Sequence, residues 1–400
     1  MFSSHFSTNN IPFGIASSDA HPKPSAATRY EDTVIFLDKL AENGLLKSLP
    51  AEAVDAFSQP VLNDFAALPK SIYQQTRSIL QSLLSEKGTS SLPNGTTALA
   101  NDVTMHLPVS SRDFTDFSCS KDHVLNAGEA IQGKRYLPPG FLYFPIGYSG
   151  RTSSLVVSGT PVVRPKGQYK NADGNVEYGP TQGLDYELEM ACVVGKPSEL
   201  GKPVDIKDAD DYIFGLVILN DWSARDIQGF EMPPLGPLNG KSFGTSVSPW
   251  IITLDALKES AIKGITREIP VASHLSDPNP VNSYDIRLKA ELLANGTSTT
   301  ICETNLSSMY WSFRDMIVHQ TSNGCSVRTG DLLATGTISG STHESHGCLL
   351  ELTKGGQKSF AVGEGAERVY LQDGDAVRIS ALASEGVGFG ECTGKILPAV

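Results

Sequence analysis

An uncharged apolar run, Ile213 to Leu219, limits most strongly what this chain can fold into. The run is too short for a typical helix, so it predicts a strand buried in a sheet. It is followed by Asp221 and then by Arg225 and Gln228, whose three-residue spacing places both on one face of a helix. Lys241 follows in a glycine-spaced loop. A carboxylate, a guanidinium, an amide and an ammonium this close together predict one wall of a catalytic site, although a buried strand with a solvated polar end would explain each residue taken alone.

The organisation of the chain is predicted from its length and texture. Its 400 residues exceed what one small core needs, so a large domain with a smaller companion is expected. Residues 1–105 are predicted to form the smaller N-terminal domain, in which residues 71–87 carry an apolar stripe typical of a helix that Gly88 ends. Residues 88–98 contain Ser, Gly and Pro and predict a linker. This domain carries no cluster of catalytic residue types, which favours a structural or dimer-supporting role.

Residues 106–400 have a different texture, with short apolar segments separated by Gly, Pro and Ser. This texture predicts a larger domain dominated by strands. The strand candidates are residues 152–157, 187–194, 213–219 and 250–252, and the helix candidate is residues 307–320. The closing residues 384–394 hold too many glycines for a regular helix. The predicted fold class is therefore mainly β with some α.

Composition argues against several functional classes. The formal net charge of −12, without a Lys/Arg cluster, argues against a nucleic-acid-binding surface. No apolar run approaches the ~20 residues of a membrane span, and the start of the chain shows no secretory signal. The six cysteines are far apart and form no C-x-x-C pair, which favours reduced thiols over disulfides or a zinc site. A cytoplasmic protein without nucleic-acid or membrane partners is expected.

Four carboxylates along the chain could hold a cation. Asp116 lies between aromatic residues, where a charge is costly unless a cation meets it, although a surface turn would also explain it. Glu187 and Glu189 would point to one face of a strand and repel each other, unless a cation lies between them or the strand is an exposed edge. Together with Asp221 they would form an oxygen-only set of ligands, which suits Mg²⁺, Ca²⁺ or Mn²⁺ and not zinc.

Glu351 is a further candidate for a functional residue. It lies in the apolar run 348–352, interpreted as a hydrophobic strand, where a carboxylate needs a partner. His123 is the candidate partner. A histidine held by a carboxylate is a common arrangement for a general base.

Six motifs in this chain resemble those of the fumarylacetoacetase (fumarylacetoacetate hydrolase) family, in its eukaryotic-type two-domain form. They are DFTDF at 113–117, YSGRTSS at 148–154, LDYELEMA at 184–191, NDWSARDIQ at 220–228, GKSFGT at 240–245 and LATGTISG at 333–340. The resemblance continues to the closing GKILP and covers nearly the whole chain. Six motifs in the right order make the resemblance specific.

The resemblance implies a small SH3-like barrel followed by a larger β-roll domain that pairs into a homodimer. It implies a divalent cation held by Asp116, Glu187, Glu189 and Asp221, with Lys241 and Thr245 near a second ion. It implies a water-activating dyad of His123 and Glu351, and oxyanion donors at Arg225, Gln228 and Lys241. The substrate-contacting positions that match are Tyr148 and Thr337. The implied activity is hydrolysis of a C–C bond in a small diketo substrate, a β-diketone or acylpyruvate such as 4-fumarylacetoacetate or a related diketo acid.

Three positions depart from the family pattern. Ser118, Gln132 and Met232 stand where substrate-contacting Tyr, Arg and Tyr residues are expected. Glutamine cannot bind a carboxylate through the two parallel hydrogen bonds of arginine, so a roomier, less cationic pocket for a different or less acidic diketone is expected. Two alternatives stay open. The scaffold could run a non-hydrolytic enolate reaction (decarboxylation, isomerisation, hydration or cyclisation), or it could be a catalytically silent, metal-stabilised scaffold.

Overall fold

The structure, a computed structural model, describes residues 2–85, 88–363 and 365–400. In the N-terminal part, five strands form one antiparallel sheet. They are β1 (Gly14–Ser18), β2 (His21–Tyr30), β3 (Thr33–Phe36), β4 (Thr97–Leu99) and β5 (Val103–His106). The order across this sheet is β4–β3–β2–β1–β5. The helices between β3 and β4 are α1 (Leu37–Glu42), α2 (Ala51–Ala56), α3 (Asn63–Ala66) and α4 (Lys70–Ser85).

The rest of the chain is rich in strands and has four α-helices among its described residues. The strands are β6 (Phe114–Phe117), β7 (Gly147–Ser149), β8 (Leu155–Val157), β9 (Val162–Val163), β10 (Lys166–Lys170), β11 (Val176–Pro180), β12 (Leu184–Asp185), β13 (Leu188–Val194), β14 (Ile213–Asp221), β15 (Ser223–Ala224), β16 (Thr245–Val247), β17 (Ile252–Thr253), β18 (Ala261–Lys263), β19 (Val281–Tyr284), β20 (Arg287–Ala294), β21 (Thr297–Asn305), β22 (Leu332–Ala334), β23 (Phe360–Val362), β24 (Ala366–Arg368), β25 (Ala376–Ser384) and β26 (Val387–Leu397). The helices are α5 (Lys121–Gln132), α6 (Arg225–Glu231), α7 (Phe313–Thr321) and α8 (Leu349–Leu352).

Two large sheets organise this part. The central sheet has the order β7–β6–β22–β13–β14–β16–β8, with β17 also paired to β14. The outer sheet has the order β21–β20–β25–β26–β9, and the remaining strands form two-stranded pairs. The mixed, β-rich character predicted from the sequence is confirmed. The finer description of residues 1–105 as an SH3-like barrel, and the boundary at 105, stay predictions.

The predicted buried strand is confirmed as β14, whose nine residues are all buried. Leu216 and Ile218 face the larger core, whereas Val217 and Leu219 face a second core that includes Phe13 and other residues of the N-terminal part. A strand covered on both faces has no solvent side, which explains why its sequence is continuously apolar rather than alternating. The N-terminal part therefore covers one face of the sheet that carries the candidate site.

Other predicted elements differ from the structure in instructive ways. The predicted helix at 71–87 is confirmed over Lys70–Ser85, and residues 86 and 87 lie outside the described residues. The predicted linker at 88–98 is wrong, because Thr97 and Ala98 pair with β3 and belong to the N-terminal sheet. The predicted helix at 307–320 begins only at Phe313, where Ser312 caps it in a capping box with Asp315.

The strand predicted around Glu351 is also wrong, because residues 349–352 form the short helix α8. The backbone N–H groups of Leu349 and Leu350 donate to the carboxylate of Asp185, at 2.7 Å and 2.9 Å. A carboxylate at this end satisfies N–H groups that have no partner within the helix. The partner is distant in sequence, so local pattern did not reveal the helix.

The structure also bears on the cysteines and on membrane crossing. All six cysteines are free thiols, and five of them are buried. None of the helices in the described ranges combines the length and the apolar character that a membrane span requires.

His5 gives a pH-dependent contribution to stability. Its Nδ1 accepts a hydrogen bond from the Gly390 N–H at 3.2 Å, and burial, together with the nearby Arg29, lowers the pKa of His5 to about 4. Between pH 6.5 and 4 the unfolded chain therefore binds a proton that the folded protein does not, so stability falls as pH falls through this window. We expect His5→Gln to reduce the fall in the urea midpoint between pH 7 and pH 4.5. Equal falls in both proteins would contradict this assignment.

Candidate metal centre and active site

Four carboxylates converge at one end of the central sheet. Asp116 lies near the end of β6, and Asp221 ends β14 opposite Thr245 of β16. Glu187 immediately precedes β13, and Glu189 is its second residue. Because β13 and β14 are antiparallel, the start of one meets the end of the other. Candidate ligand oxygens of the four carboxylates lie within 4.8 Å of one another.

The two alternative explanations, a surface turn at Asp116 and an exposed edge strand at Glu187 and Glu189, are wrong. Asp116 is 3% exposed and lies within a strand, so it is not part of a surface turn. Glu189 is 0% exposed, and β13 has strands on both sides, so the two glutamates do not lie on an open edge. Each carboxylate therefore needs a compensating group inside the protein.

Hydrogen bonds compensate two of the four carboxylates. Lys241 Nζ contacts Glu187 Oε2 and lies 2.7 Å from Asp221 Oδ2. Arg225 Nη1 donates to Glu187 Oε1 at 2.7 Å, and Thr245 Oγ1 donates to Asp221 Oδ1 at 2.7 Å. The side chains of Lys241, Arg225 and Thr245 thus hold Glu187 and Asp221 in place before any metal ion binds.

The other two carboxylates have buried oxygens without hydrogen-bond partners among the described residues. These atoms are Asp116 Oδ1 and both side-chain oxygens of Glu189. Burial raises the pKa of Asp116 and of Glu189 well above its ordinary value, and neighbouring carboxylates add to the rise. Burial alone would raise the pKa of Glu187 too, but Lys241 and Arg225 outweigh it and lower that pKa. The protein itself therefore leaves the ionised forms of Asp116 and Glu189 largely uncompensated.

The residues present fit a divalent cation. Their donors are oxygens only, which is the preference of Mg²⁺, Ca²⁺ and Mn²⁺. A cation would also satisfy the buried oxygens of Asp116 and Glu189 that lack partners. Lys241 cannot supply a side-chain ligand, because Asp221 and Glu187 raise its pKa against the effect of burial and an ammonium has no lone pair. The second ion near Lys241 and Thr245 stays a prediction.

Lys241 reaches the site because its loop packs tightly on α6. A Cβ at Gly240 would lie 2.7 Å from the backbone of Gln228, so only glycine fits at this approach. The carbonyl oxygen of Gly240 accepts from the Ala224 N–H at 2.8 Å and closes the loop against the start of the helix. The predicted shared face of Arg225 and Gln228 is present, since Arg225 Nη1 donates to Gln228 Oε1 at 3.2 Å.

His123 and Glu351 form the second part of the site. His123 Nδ1 lies 2.8 Å from Glu351 Oε2, and the imidazole is 14% exposed whereas the carboxylate is fully buried. Burial acts to raise the pKa of Glu351, but His123 and hydrogen bonds from Ser339 and Asn126 lower it overall. An ionised carboxylate only accepts, so Nδ1 carries the hydrogen, and in the neutral imidazole Nε2 keeps a lone pair. This is the form of histidine that can act as a base.

Asp185 is a site residue that the sequence reasoning missed. It is fully buried, accepts from Arg225 Nε at 2.8 Å and caps α8, the helix that carries Glu351. Burial raises its pKa, while Arg225 and the N–H groups of α8 oppose the rise. Asp185 thus links the Arg225 guanidinium, which also contacts Glu187, to α8, the helix that carries Glu351. The signal was the alternation of acids at 185, 187 and 189, which continues the E-x-E pattern by one step.

The predicted substrate-contacting residues differ from one another in burial and in hydrogen bonding. The Tyr148 hydroxyl donates to Asp221 Oδ2 at 3.2 Å, and the buried Thr337 Oγ1 has no hydrogen-bond partner within residues 2–85, 88–363 and 365–400. Ser118 is half-buried one residue after β6. Gln132 is exposed at the last turn of α5, roughly 13 Å along the helix from His123. Met232 is 45% exposed just after α6. Their contacts with a substrate stay predictions.

Comparisons with known proteins agree with this geometry. The model of the "Fumarylacetoacetate (FAA) hydrolase C-terminal" family matches residues 113–397, and that of the "Fumarylacetoacetase N-terminal" family matches residues 9–108. The chain is 42% identical over 408 residues to a fumarylacetoacetase of Arabidopsis thaliana, covering 99% of this chain and 96% of that protein. It is 40% identical over 409 residues to a fumarylacetoacetase of Homo sapiens, covering 99% and 97%.

A solved structure supports the fold. The fumarylacetoacetate hydrolase from psychrophilic Exiguobacterium antarcticum superposes with a TM-score of 0.55 at 18% identity, covering 97% of this chain and 99% of that chain. At this identity the match concerns the fold alone. The sequence matches confirm the family and the hydrolase class that the six motifs predicted. On these grounds the chain belongs to the fumarylacetoacetase family.

Proposed function

We propose that this protein hydrolyses a C–C bond in a β-diketo acid of the fumarylacetoacetate type, with a divalent cation bound at the four carboxylates. Two features observed together carry the proposal. One is a buried cluster of carboxylates whose oxygens are only partly compensated by the protein, and the other is His123, which is held by Glu351. The relatives named fumarylacetoacetase support the substrate class. When bound, the cation would supply Lewis-acid polarisation of a substrate carbonyl.

His123 is the proposed base. Its Nε2 takes a proton from water, and the resulting hydroxide adds to the polarised carbonyl carbon of the substrate. Glu351 stabilises the imidazolium that forms, because it stays ionised against Nδ1. When the C–C bond breaks, the imidazolium is the proposed donor that returns the proton to the departing carbon. The products are two acids or an acid and a ketone, depending on the substituent.

Donors for the developing oxyanion are proposed on α6 and the following loop. Arg225 Nη2 is buried and has no hydrogen-bond partner in the described parts of the chain, although the other guanidinium nitrogens are held by Asp185, Glu187 and Gln228. Because Gln228 accepts from Arg225 through its oxygen, its NH₂ group is free to face the substrate. Lys241 offers a further N–H. Donors fixed in advance by buried partners stabilise an oxyanion without reorganisation.

Several finer features belong to the same proposal. We propose that residues 1–105 are an SH3-like barrel, that residues 106–400 form the catalytic β-roll domain, and that the protein is a cytoplasmic homodimer using Mg²⁺, Ca²⁺ or Mn²⁺. The family motifs support these assignments. The exposed Gln132 and Met232 support a recognition shell that differs from that of a fumarylacetoacetase with Arg and Tyr there. Preference for a different or less acidic diketone follows from this.

A panel of acylpyruvates and β-diketones tests the function. We expect loss of enol absorbance with one equivalent each of two hydrolysis products, abolished by a chelator and restored by Mg²⁺, Ca²⁺ or Mn²⁺. Loss of CO₂ or formation of an isomer, without a second product, would overturn hydrolysis in favour of a non-hydrolytic enolate reaction. Turnover of fumarylacetoacetate at the ~10 s⁻¹ of a typical good enzyme would overturn the altered preference alone.

A further inference from the structure

Arg135 lies close to the dyad but has no part in the proposed chemistry. α5 ends at Gln132, and Gly133 caps it in the left-handed conformation, after which the chain turns back along the helix. A Cβ at Gly128 would lie 3.2 Å from the carbonyl oxygen of Lys134 and 3.3 Å from that of Tyr136. The returning segment therefore packs directly on the helix backbone where a side chain is missing. This close approach delivers the Arg135 guanidinium to the helix face that carries the dyad's histidine.

The Arg135 contact sets the orientation of one amide. Its Nη1 donates to Asn126 Oδ1 at 2.8 Å, and Asn126 Nδ2 donates to Glu351 Oε1 at 3.0 Å. A guanidinium has donors only and an ionised carboxylate has acceptors only. The amide between them can satisfy both partners in one orientation, with its oxygen towards Arg135 and its nitrogen towards Glu351.

The hydrogen bond from Asn126 is the one that holds Oε1 of Glu351. In the described parts of the chain, Oε2 contacts His123 Nδ1, Ser339 Oγ and Cys348 Sγ, whereas Oε1 receives its side-chain hydrogen bond from Asn126 alone. The terminal torsion of a glutamate is broad and roughly two-fold. A carboxylate held at one oxygen can still turn about this bond, so the donor on Oε1 fixes its plane.

We propose that Arg135 is a positioning residue for the dyad, acting through Asn126 to hold the carboxylate plane of Glu351 and, with it, the imidazole of His123. This inference rests on the proposed hydrolysis. The ordinary alternative is a surface ion pair, since Arg135 Nη1 also lies 3.3 Å from Glu129 Oε2 and both side chains are 50% exposed. Such exposed pairs contribute little. The two explanations differ in whether the effect of Arg135 depends on Asn126.

A double-mutant cycle separates them, measured with the fastest substrate of the panel. Arg135→Met keeps the aliphatic stem and removes the donors, Arg135→Lys restores one donor, and Lys134→Met removes an equal charge from the adjacent exposed residue. We expect Arg135→Met to lower kcat by about three- to ten-fold with KM and cation affinity unchanged. Arg135→Lys should recover most of this loss, and Lys134→Met should match the wild type.

The decisive measurement is Arg135→Met combined with Asn126→Ala. Asn126→Ala alone should lower kcat at least as much as Arg135→Met, and adding Arg135→Met should then change kcat by less than about two-fold. An equal loss in both backgrounds would overturn the inference. A rise in KM confined to substrates with a distal carboxylate would also overturn it, because Arg135 would then contact substrate directly. Unchanged kcat in Arg135→Met overturns this inference alone, whereas a wild-type protein that hydrolyses no diketone overturns the proposed function and this inference together.

Discussion

Replacing His123 with glutamine is expected to lower kcat by about 10²–10⁴-fold, the usual contribution of a positioned general base. A glutamine amide can still donate towards Glu351, but it has no nitrogen that can take a proton from water. The proposed ligands of the divalent cation are the four clustered carboxylates and do not include His123, so affinity for the cation should be unchanged. Steady-state kinetics on the best diketone of the panel, with calorimetric titration of Mg²⁺ or Ca²⁺, gives both quantities.

A matched control for this variant is His274→Gln, since His274 is an exposed histidine outside α5, in the short 3-10 helix Ser273–Leu275. Its kinetics should equal those of the wild type. A fall in kcat of less than about five-fold in His123→Gln would exclude histidine as the base and leave the dyad a structural pair. A parallel loss of cation affinity would instead mean that His123 supports the metal centre.

Replacing Glu189 with glutamine is expected to change stability in opposite directions with and without the cation. Glu189 is fully buried, and neither of its side-chain oxygens has a hydrogen-bond partner in the part of the chain that the structure describes. In the presence of a chelator, the substitution removes a carboxyl group whose pKa is raised by burial and which therefore costs stability at neutral pH, and the melting temperature should rise by about 2 °C or more. With the cation, the substitution weakens a ligand. Affinity should then fall by at least the ~10–100-fold seen when a supporting partner of a metal ligand is lost.

Melting curves with EDTA and with saturating Mg²⁺ or Ca²⁺ measure both effects, and activity should fall with the loss of cation. Glu303→Gln removes the same charge from an exposed position of β21 and should leave both curves unchanged. A Glu189→Gln protein that is less stable than the wild type even in EDTA would show that the carboxylate is compensated within the protein. The cation site would then need a different set of ligands.

Local pattern predicted the strands and residue types well but failed where partners are distant. The apolar run at 213–219 predicted β14, since burial on both faces leaves a direct trace in composition. The same reasoning gave a strand around Glu351, although the segment is a helix capped by Asp185 from more than 160 residues away. Sequence pattern likewise gave residues 88–98 as a linker, whereas their last residues complete the N-terminal sheet.

The amino-acid sequence by itself determined the family, the strand-rich class, the oxygen-only chemistry of the acidic residues and the pairing of His123 with Glu351 as a hypothesis. The strand-rich class and the oxygen-only chemistry follow from residue types and short-range spacing, which are properties of neighbouring residues. The pairing of His123 with Glu351, 228 positions apart, rested on residue types and on the family resemblance. Only the tertiary structure decided that Asp116 is buried, that its oxygen and those of Glu189 lack partners, and that Asp185 and Arg135 lie next to the site. Those facts depend on strand register and on packing between segments far apart in the chain, and no local pattern encodes a distance between them.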